Sequence, residues 1–305
     1  MIKARVLEER LIKMNKAGQG FFWLGGPGEE AFNVPLGLLI HKGEGLDYDF
    51  LHFHYRQAAT LLAMGTNIID PIRQMHNTST DPYSGGRNFV NHFSIKKWNV
   101  TPVSSPIEVQ YAIAIGTGVA QARHGGKGIT LVTGGDAGTA EGEFASCLIW
   151  ASRKGKELPI LIIVTNNQWG ISTPYPEVHS DTSIAQRAEG LGIKNAIVDG
   201  NDAEASYQII SEAMTYVRKE RKPFLIEARV SRLYGHSSAS GANWIAEEDC
   251  IARFEKTLLQ EKLIKKDSAQ KMRDQYEAET RAALQKVLSE PKPEGHTIFD
   301  HIYKE

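Results

Sequence analysis

Two polar clusters in the sequence contain the residue types of a site for a phosphate group and a metal ion. Gly-Gly-Asp-Ala-Gly occupies positions 134–138, and Asn-Asn-Gln-Trp-Gly occupies positions 166–170. Asp carboxylates and Asn carbonyl oxygens are hard ligands that suit Mg²⁺ or Ca²⁺. Glycines allow backbone amides to approach a phosphate, and a helix that starts there directs its N-terminus at the same anion. The two clusters together therefore predict a phosphate bound with a divalent cation.

The elements that must position these clusters are indicated by alternating apolar runs and amphipathic stretches. Runs typical of buried strands cover 129–133, 158–165, 196–199 and 224–230, and helical spacing covers 141–154, 183–190 and 203–221. Ligands of parallel sheets bind beyond the carboxyl ends of the strands, so both clusters are expected at one edge. Turn glycines and a helix cap explain either cluster taken alone. Because the two clusters follow the two strands of one strand–helix–strand unit, a shared binding site is favoured over two separate structural roles.

The same pattern predicts the fold class and its organisation. We expect an α/β fold with a doubly wound, mostly parallel sheet that is flanked by helices. An N-terminal helical and loop part covers 1–100, the α/β core covers 104–231, and a C-terminal helical tail covers 246–305. We expect these parts to form a single domain.

Composition excludes several classes of protein. The 305 residues include 35 basic and 36 acidic side chains, with a formal net charge of −1, so no global field attracts nucleic acid or a membrane surface. The densest apolar run, 158–164, is too short to cross a bilayer, and the N-terminus lacks an apolar signal core. Two cysteines cannot form a disulfide framework, which predicts a cytoplasmic protein, and Cys147 is predicted to be a buried structural thiol.

Gly135-Asp136 followed by Asn167 resembles the thiamine diphosphate motif. Over about positions 20–244 the chain is similar to the alpha subunit of the thiamine-dependent decarboxylating component of 2-oxo acid dehydrogenase complexes, particularly the branched-chain type. The resemblance is carried by Phe-His-Tyr-Arg at 53–56, Ser-Ser-Pro at 104–106, Asn-Asn-Gln-Trp-Gly-Ile-Ser-Thr at 166–173, Val-Asp-Gly-Asn-Asp at 198–202 and Gly-His-Ser at 235–237. It implies a thiamine diphosphate-binding fold, with thiamine diphosphate and Mg²⁺ as cofactors.

The resemblance also implies roles for individual residues. Mg²⁺ would be bound by Asp136, Asn167 and the backbone carbonyl of Trp169. His236, on a loop that closes over the cofactor, and His92, in the pocket, would be the catalytic residues. The implied cofactor contacts are Tyr55, Arg56, Ser105, Ile107, Gly135, Ala137, Gly138 and His236. An arginine suits the diphosphate because its fork engages two oxygens at once.

The chain departs from the family pattern at several of these segments. Ala137 stands where a third glycine is usual, which predicts an altered turn because alanine resists positive φ. Thr165 replaces an arginine of branched-chain relatives, although pyruvate-type relatives also lack that arginine. Val109 replaces a threonine of a monovalent-cation site, so bound potassium is not predicted. The serine-rich loop at 237–241 lacks an acidic pair, and whether its serines are regulated stays open.

The activity implied by the resemblance is oxidative decarboxylation of a branched-chain 2-oxo acid, with acyl transfer to a lipoyl carrier. A pyruvate dehydrogenase alpha subunit, or a homologue that only binds partners, is the alternative. The implied partners are a beta subunit in an alpha2beta2 assembly, which supplies a glutamate to the cofactor, and a lipoyl-bearing acyltransferase core. Whether the beta half is a separate chain or fused in the natural gene stays open.

Three further patterns in the sequence bear on function. A nicotinamide dehydrogenase requires Gly-x-Gly-x-x-Gly directly after a strand, and the cluster at 134–138 does not have that spacing. His52 and His54 form a His-x-His pair, but no suitable third ligand lies nearby in the sequence. Ala112, Gly116 and Ala120 form a small-residue face, which suits contact between subunits or tight packing within one subunit.

Overall fold

The computed structural model describes residues 1–180, 183–300 and 302. Five strands are present in this part: β1 Phe50–His52, β2 Thr130–Gly135, β3 Ile160–Asn166, β4 Lys194–Asp199 and β5 Phe224–Arg229. The α-helices are α1 Ile2–Lys16, α2 Glu30–Leu39, α3 Ala58–Met64, α4 Ile69–Met75, α5 Val109–His124, α6 Gly142–Ala151, α7 Tyr175–Val178, α8 Gln186–Glu189, α9 Ala203–Glu220, α10 Cys250–Gln260 and α11 Ser268–Val287.

The five strands form one sheet in the order β1-β2-β3-β5-β4, and each neighbouring pair is parallel. Strand β3 lies at the centre, and all of its residues are buried, as expected for a strand covered on both faces. The side chains that pack with α2, α3 and α9 include Leu131, Leu161, Ile163 and Ile226. Those that pack with α5 and α6 include Val132, Ile160, Ile162 and Val164. The predicted doubly wound parallel fold is confirmed.

Several element boundaries differ from the sequence-based expectation. Strand β1 lies in the N-terminal part that was expected to be helical and loop-like. A strand of three residues is too short to show the alternation of apolar and polar residues. The helix expected at 183–190 shortens to α8, because Ser183 instead bonds the buried Glu227. The helix expected over 141–154 ends at Ala151, beyond which Gly155 has positive φ. Strand β4 starts at Lys194, two residues before the expected start.

The N- and C-terminal helices pack against each other and against the segment after α1. Leu7, Leu11, Trp23, Leu284 and Val287 belong to one buried apolar cluster. Arg5 of α1 lies 2.7 Å from Glu30 and 2.9 Å from Asp249, so one buried guanidinium joins three segments. No helix of the described residues is long and apolar enough to cross a membrane.

A candidate diphosphate and metal site at the carboxyl edge of the sheet

The two polar clusters meet at the carboxyl ends of β2 and β3. Gly135 pairs with Thr165 in the parallel register, so Asp136 and Asn167 follow the ends of neighbouring strands. The loops after these strands also touch, since a Cβ at Gly170 would lie 3.3 Å from the Cβ of Ala137. The edge predicted for the site is therefore the edge at which the structure places both clusters.

Asp136 has the surroundings of a ligand rather than of a structural carboxylate. Its residue surface is 1% exposed, and neither carboxylate oxygen has a hydrogen-bond partner among the described residues. Burial raises the pKa of Asp136, and the positive charge of Arg56 opposes that shift. A buried polar group without a partner costs free energy of about 1–3 kcal/mol, more when it is charged, so such groups are rare without a ligand or water.

Asn167 follows the end of the neighbouring strand and has a buried amide. Its Oδ1 accepts a hydrogen bond from the backbone N–H of Trp169 at 3.1 Å, and an amide oxygen has a second lone pair for another partner. Its Nδ2 is buried and has no partner within the part of the chain that the structure describes. An unpaired carboxylate beside an amide oxygen suits a hard divalent cation, so these residues fit Mg²⁺.

Arg56, four residues after β1, supplies the buried positive charge of the site. A Cβ at Gly135 would lie only 2.5 Å from Nη2 of Arg56, so glycine is needed there for the guanidinium to approach the loop. Nε of Arg56 lies 2.8 Å from Oε1 of Glu29, which is also buried. Burial raises the pKa of Glu29, and the charge of Arg56 opposes that shift. Glu29 was not predicted, because nothing in the local sequence marks it.

Tyr55 brings the two predicted catalytic histidines together. The Tyr55 hydroxyl lies 3.5 Å from Nε2 of His236, and its ring centroid lies 6.0 Å from that of His236 and 6.5 Å from that of His92. Nε2 of His92 lies 2.5 Å from the Oγ of Ser105. The structure therefore groups four of the predicted residues, Tyr55, His92, Ser105 and His236.

Both histidines are neutral at pH 7. Burial, reinforced by the charges of Arg56 and Arg232, lowers the pKa of His236 to about 4. Burial also lowers the pKa of His92 from its ordinary value. A neutral imidazole has one donor and one acceptor nitrogen, and in His92 the donor faces the Val90 carbonyl oxygen at 3.2 Å while the acceptor faces Ser105.

The remaining predicted residues have less specific surroundings. Ile107 is 61% exposed, so the structure does not bring its side chain into the group around Tyr55. Trp169 lies with its ring 5.5 Å from the guanidinium of Arg232, which donates a hydrogen bond to the Gly170 carbonyl at 2.7 Å. The metal contact implied for Trp169 is made by its backbone carbonyl oxygen. The contact between its ring and Arg232 does not involve that oxygen.

Ala137 does not stand at a position that needs positive φ. Ala137 and Gly138 belong to a 3-10 helix over Ala137–Ala140, and Ala137 does not have positive φ. Alanine adopts this conformation without strain, so the missing third glycine has no steric consequence here. Gly138 is packed more tightly, because a Cβ there would lie 2.1 Å from Oε1 of Glu108.

Glu108 was not anticipated from the sequence. It precedes α5 with a left-handed backbone, at φ 60°, and its Oε1 accepts a hydrogen bond from the Gly135 backbone N–H at 3.1 Å. Burial raises the pKa of Glu108 to about 8. Its carboxyl group therefore holds the loop that follows β2 from the side of α5.

His179 contacts the backbone of Asp136 and was also not anticipated. Its Nε2 lies 2.9 Å from the Asp136 carbonyl oxygen, and its Nδ1 lies 2.9 Å from Nη2 of Arg187. Arginine only donates, so Nδ1 must accept and Nε2 must carry the proton that is donated to Asp136. The contact joins residues 43 positions apart, and no local pattern could have shown it.

His52 and Cys147 have structural surroundings. Nε2 of His52 lies 2.8 Å from Oγ1 of Thr117, and its Nδ1 lies 3.2 Å from Oγ1 of Thr101, so both ring nitrogens are in use. Cys147 is buried inside α6, as predicted, and burial raises the pKa of its thiol to about 12. Among the described residues, no three His, Cys, Asp or Glu side chains are grouped to hold a metal ion.

A doubly wound parallel sheet with a glycine turn, a buried arginine and an unpaired carboxylate at its carboxyl edge is an arrangement in which α/β proteins commonly bind phosphorylated ligands. Residues 1–296 match the family described as "Dehydrogenase E1 component", and the chain belongs to that family. The family resemblance drawn from the sequence is confirmed.

Individual relatives extend this match over most of the chain. The 2-oxoisovalerate dehydrogenase subunit alpha of Bacillus subtilis (strain 168) is 28% identical over 312 residues, which cover 99% of this chain and 93% of the relative. The mitochondrial subunit of the same name from Homo sapiens is 26% identical over 316 residues, covering 100% and 69%. That of Dictyostelium discoideum is 30% identical over 244 residues, covering 80% and 54%.

Proposed function

We propose that the chain is the alpha subunit of a 2-oxo acid dehydrogenase, which decarboxylates a branched-chain 2-oxo acid oxidatively and transfers the acyl group to a lipoyl carrier. The observation that carries this proposal is the buried, unpaired carboxylate of Asp136 beside Asn167 and the glycine turn. The similarity to 2-oxoisovalerate dehydrogenase alpha subunits supports the branched-chain substrate.

The cofactor roles follow from the surroundings of each group. Asp136, the Asn167 amide oxygen and the Trp169 carbonyl would hold Mg²⁺, and Arg56 with the backbone amides of the turn would hold a diphosphate. When bound, thiamine diphosphate supplies the electron sink that makes loss of carbon dioxide from a 2-oxo acid feasible. The chain itself contributes binding, orientation and proton transfer.

His236 and His92 perform the proton transfers that this chain can offer. Nδ1 of His92 lies 3.2 Å from the Val90 carbonyl oxygen, which only accepts, so this nitrogen carries the proton and Nε2 is the acceptor that faces Ser105. His236, which is neutral near pH 7, is therefore the ring that can donate a hydrogen bond to a substrate oxygen, and His92 contributes an acceptor nitrogen. Tyr55 orients His236 from its hydroxyl side, and Ser105 fixes one nitrogen of His92.

An exposed apolar face next to the site supports a beta subunit as partner. Ile113 of α5 and Ile149 and Trp150 of α6 are each at least 45% exposed. Gly116 also faces outward, since a Cβ there would meet no atom within 4 Å. Gly116 is therefore not needed for packing within the described part of this chain, and exposed apolar patches commonly bind partners. The proposed assembly is alpha2beta2, which acylates a lipoyl-bearing acyltransferase core.

The decisive experiment measures 2-oxo acid oxidation with the chain and its co-expressed beta subunit, in the presence of Mg²⁺ and thiamine diphosphate. We expect turnover only with both chains and a higher kcat/KM for 2-oxoisovalerate than for pyruvate. Equal turnover by the alpha chain alone would refute the need for a partner, and preference for pyruvate would favour the pyruvate dehydrogenase alternative. Cofactor binding by calorimetry without turnover would indicate a homologue that only binds partners.

A further inference from the structure

Residues 23–26, which we call the strap, cross between α1 and the candidate site. The backbone carbonyl of Trp23 accepts a hydrogen bond from the Ser238 N–H at 2.7 Å, and the Trp23 N–H donates to the Ser238 Oγ at 3.1 Å. Leu24 forms an antiparallel bridge with Ser237. Since Ser237 directly follows His236, the strap fixes the segment that carries this histidine.

The strap also holds the segment of the second histidine. The carbonyl of Leu24 accepts a hydrogen bond from Nδ2 of Asn91 at 2.7 Å. Asn91 is buried, has a left-handed backbone at φ 64° and directly precedes His92. At the other end, a Cβ at Gly26 would lie 2.9 Å from the carbonyl oxygen of Arg56. Three site segments therefore touch the strap.

Glu8 of α1 anchors the strap from the side away from the site. Its Oε2 accepts a hydrogen bond from Nε1 of Trp23 at 2.8 Å, and its Oε1 accepts from Nδ2 of Asn91 at 3.3 Å. The carboxyl group is packed so closely that a Cβ at Gly25 would lie 2.3 Å from Oε2. One buried carboxyl group thus contacts both the strap and the residue before His92.

Resting on the proposed function, we propose that Glu8 is a positioning residue, which sets the places of His92 and His236 through the strap. Both bonding partners of Glu8 are N–H donors, so two acceptor oxygens on one rigid group are required. Burial raises the pKa of Glu8, and these two hydrogen bonds together with the positive charge of Arg5 oppose that shift. A hydrophobic residue would fill the space but would leave two buried donors unpaired.

The first test is amide hydrogen exchange of the full chain carrying Glu8→Gln. Glutamine keeps the size, but its NH₂ group must face one of the two donors. We expect exchange in peptides covering 91–93 and 236–240 to rise about 10-fold, which is the loss of one such hydrogen bond. Trp23→Phe, which removes one donor and keeps the ring packing, should give a smaller rise at 236–240 and serves if Glu8→Gln does not fold.

The matched control is Met214→Ala on α9, a buried residue of the apolar cluster that packs α2, α3 and α9 against the sheet and that contains no residue of the strap. The cavity that this substitution leaves lowers the free energy of unfolding of the whole chain. It should not raise amide exchange in the two histidine segments more than in the rest of the chain. If Glu8→Gln raises exchange throughout the chain in the same way as Met214→Ala, or leaves both segments unchanged, the positioning role is wrong.

The second test is steady-state kinetics of Glu8→Gln in the complex with the beta subunit. Misplaced histidines should lower kcat about 10-fold, while KM for the 2-oxo acid changes less than about 2-fold, because chemistry depends on orientation more than substrate binding does. Unchanged kcat with an active wild-type complex would refute the role. An inactive wild-type complex together with the expected exchange pattern would refute the proposed function and leave the strap assignment standing.

Discussion

Glu227 and Asp136 are two buried carboxylates near the carboxyl ends of two strands of the sheet. They differ in the hydrogen bonds that the fold donates to them. Glu227 of β5 is fully buried and accepts hydrogen bonds from Asn166 Nδ2 at 2.8 Å, Ser183 Oγ at 2.7 Å and the Ala185 N–H at 2.9 Å. Asp136, after β2, is almost equally buried, and its oxygens have no partner among the described residues. The two side chains are about equally buried. They differ because the carboxylate of Glu227 has hydrogen-bond donors around it, whereas that of Asp136 has none among the described residues.

The adjacent asparagines at the end of β3 repeat this difference. Asn166 donates to Glu227 and accepts from Gln168, so its amide is used within the fold. Asn167 keeps one amide hydrogen-bonding group without a partner in the described residues. A carboxylate that the fold saturates stabilises the protein, whereas one that the fold leaves unpaired is held in place for a ligand.

The largest effect is expected from Asp136→Asn. Loss of the ligand charge should lower Mg²⁺-dependent cofactor affinity and turnover of the complex at least about 100-fold, because metal sites depend strongly on their carboxylates. The melting temperature of the chain without cofactor should stay the same or rise, since a buried unpaired charge disappears. Calorimetric titration and thermal unfolding measure both; a clear drop in stability would show that Asp136 is structural.

Glu227→Gln should lower the stability of the chain and have little effect on Mg²⁺ affinity, the reverse of Asp136→Asn. Replacing one carboxylate oxygen by NH₂ places a donor opposite the Asn166 donor or the Ser183 and Ala185 donors, and leaving buried groups unsatisfied in this way costs about 1–3 kcal/mol. Urea unfolding of the variant should show this loss, while Glu212→Gln on the exposed face of α9 should not. If the variant that still folds loses Mg²⁺ affinity as strongly as Asp136→Asn, the two carboxylates are not distinct.

Acid unfolding tests a third buried group, His52, whose two ring nitrogens both have hydrogen-bond partners. Burial lowers the pKa of His52 to about 4 from an ordinary value of 6.5. The folded state binds its proton less readily than the unfolded state, so stability is complete above about pH 6.5 and falls as pH decreases to about 4, by about 3 kcal/mol. His52→Gln should lose this part of the pH dependence, and the exposed His124→Gln should retain it.

The smallest effect is expected at the turn. Ala137→Gly restores the glycine usual in the family, but Ala137 already has a relaxed 3-10 conformation. We expect a stability loss of about 0.5–1 kcal/mol from added backbone freedom and less than a 2-fold change in cofactor affinity. A larger gain in affinity would mean that the bound turn differs from the one seen in the free chain.

The sequence predicted the site where its parts follow consecutive strands. Asp136 and Asn167 could be placed together because parallel strands end at one edge, and the apolar runs located those strands. Glu29 and Glu8 could not be found, because their partners come from distant turns of the chain and helical periodicity does not report them. Strand β1 was missed for a related reason, since three residues carry no periodic signal.

The ion pair between Arg56 and Glu29 has a consequence for the order in which ligands enter. The positive charge of Arg56 is balanced by Glu29, and Asp136 adds a negative charge nearby. Arg232 lies close enough to interact with both Arg56 and Asp136, so the two positive and two negative charges balance and no net positive charge attracts a free diphosphate. A diphosphate that brings its own cation can in addition pair with the unpaired carboxylate of Asp136. We expect the metal and the cofactor to load as one complex, with neither retained well alone.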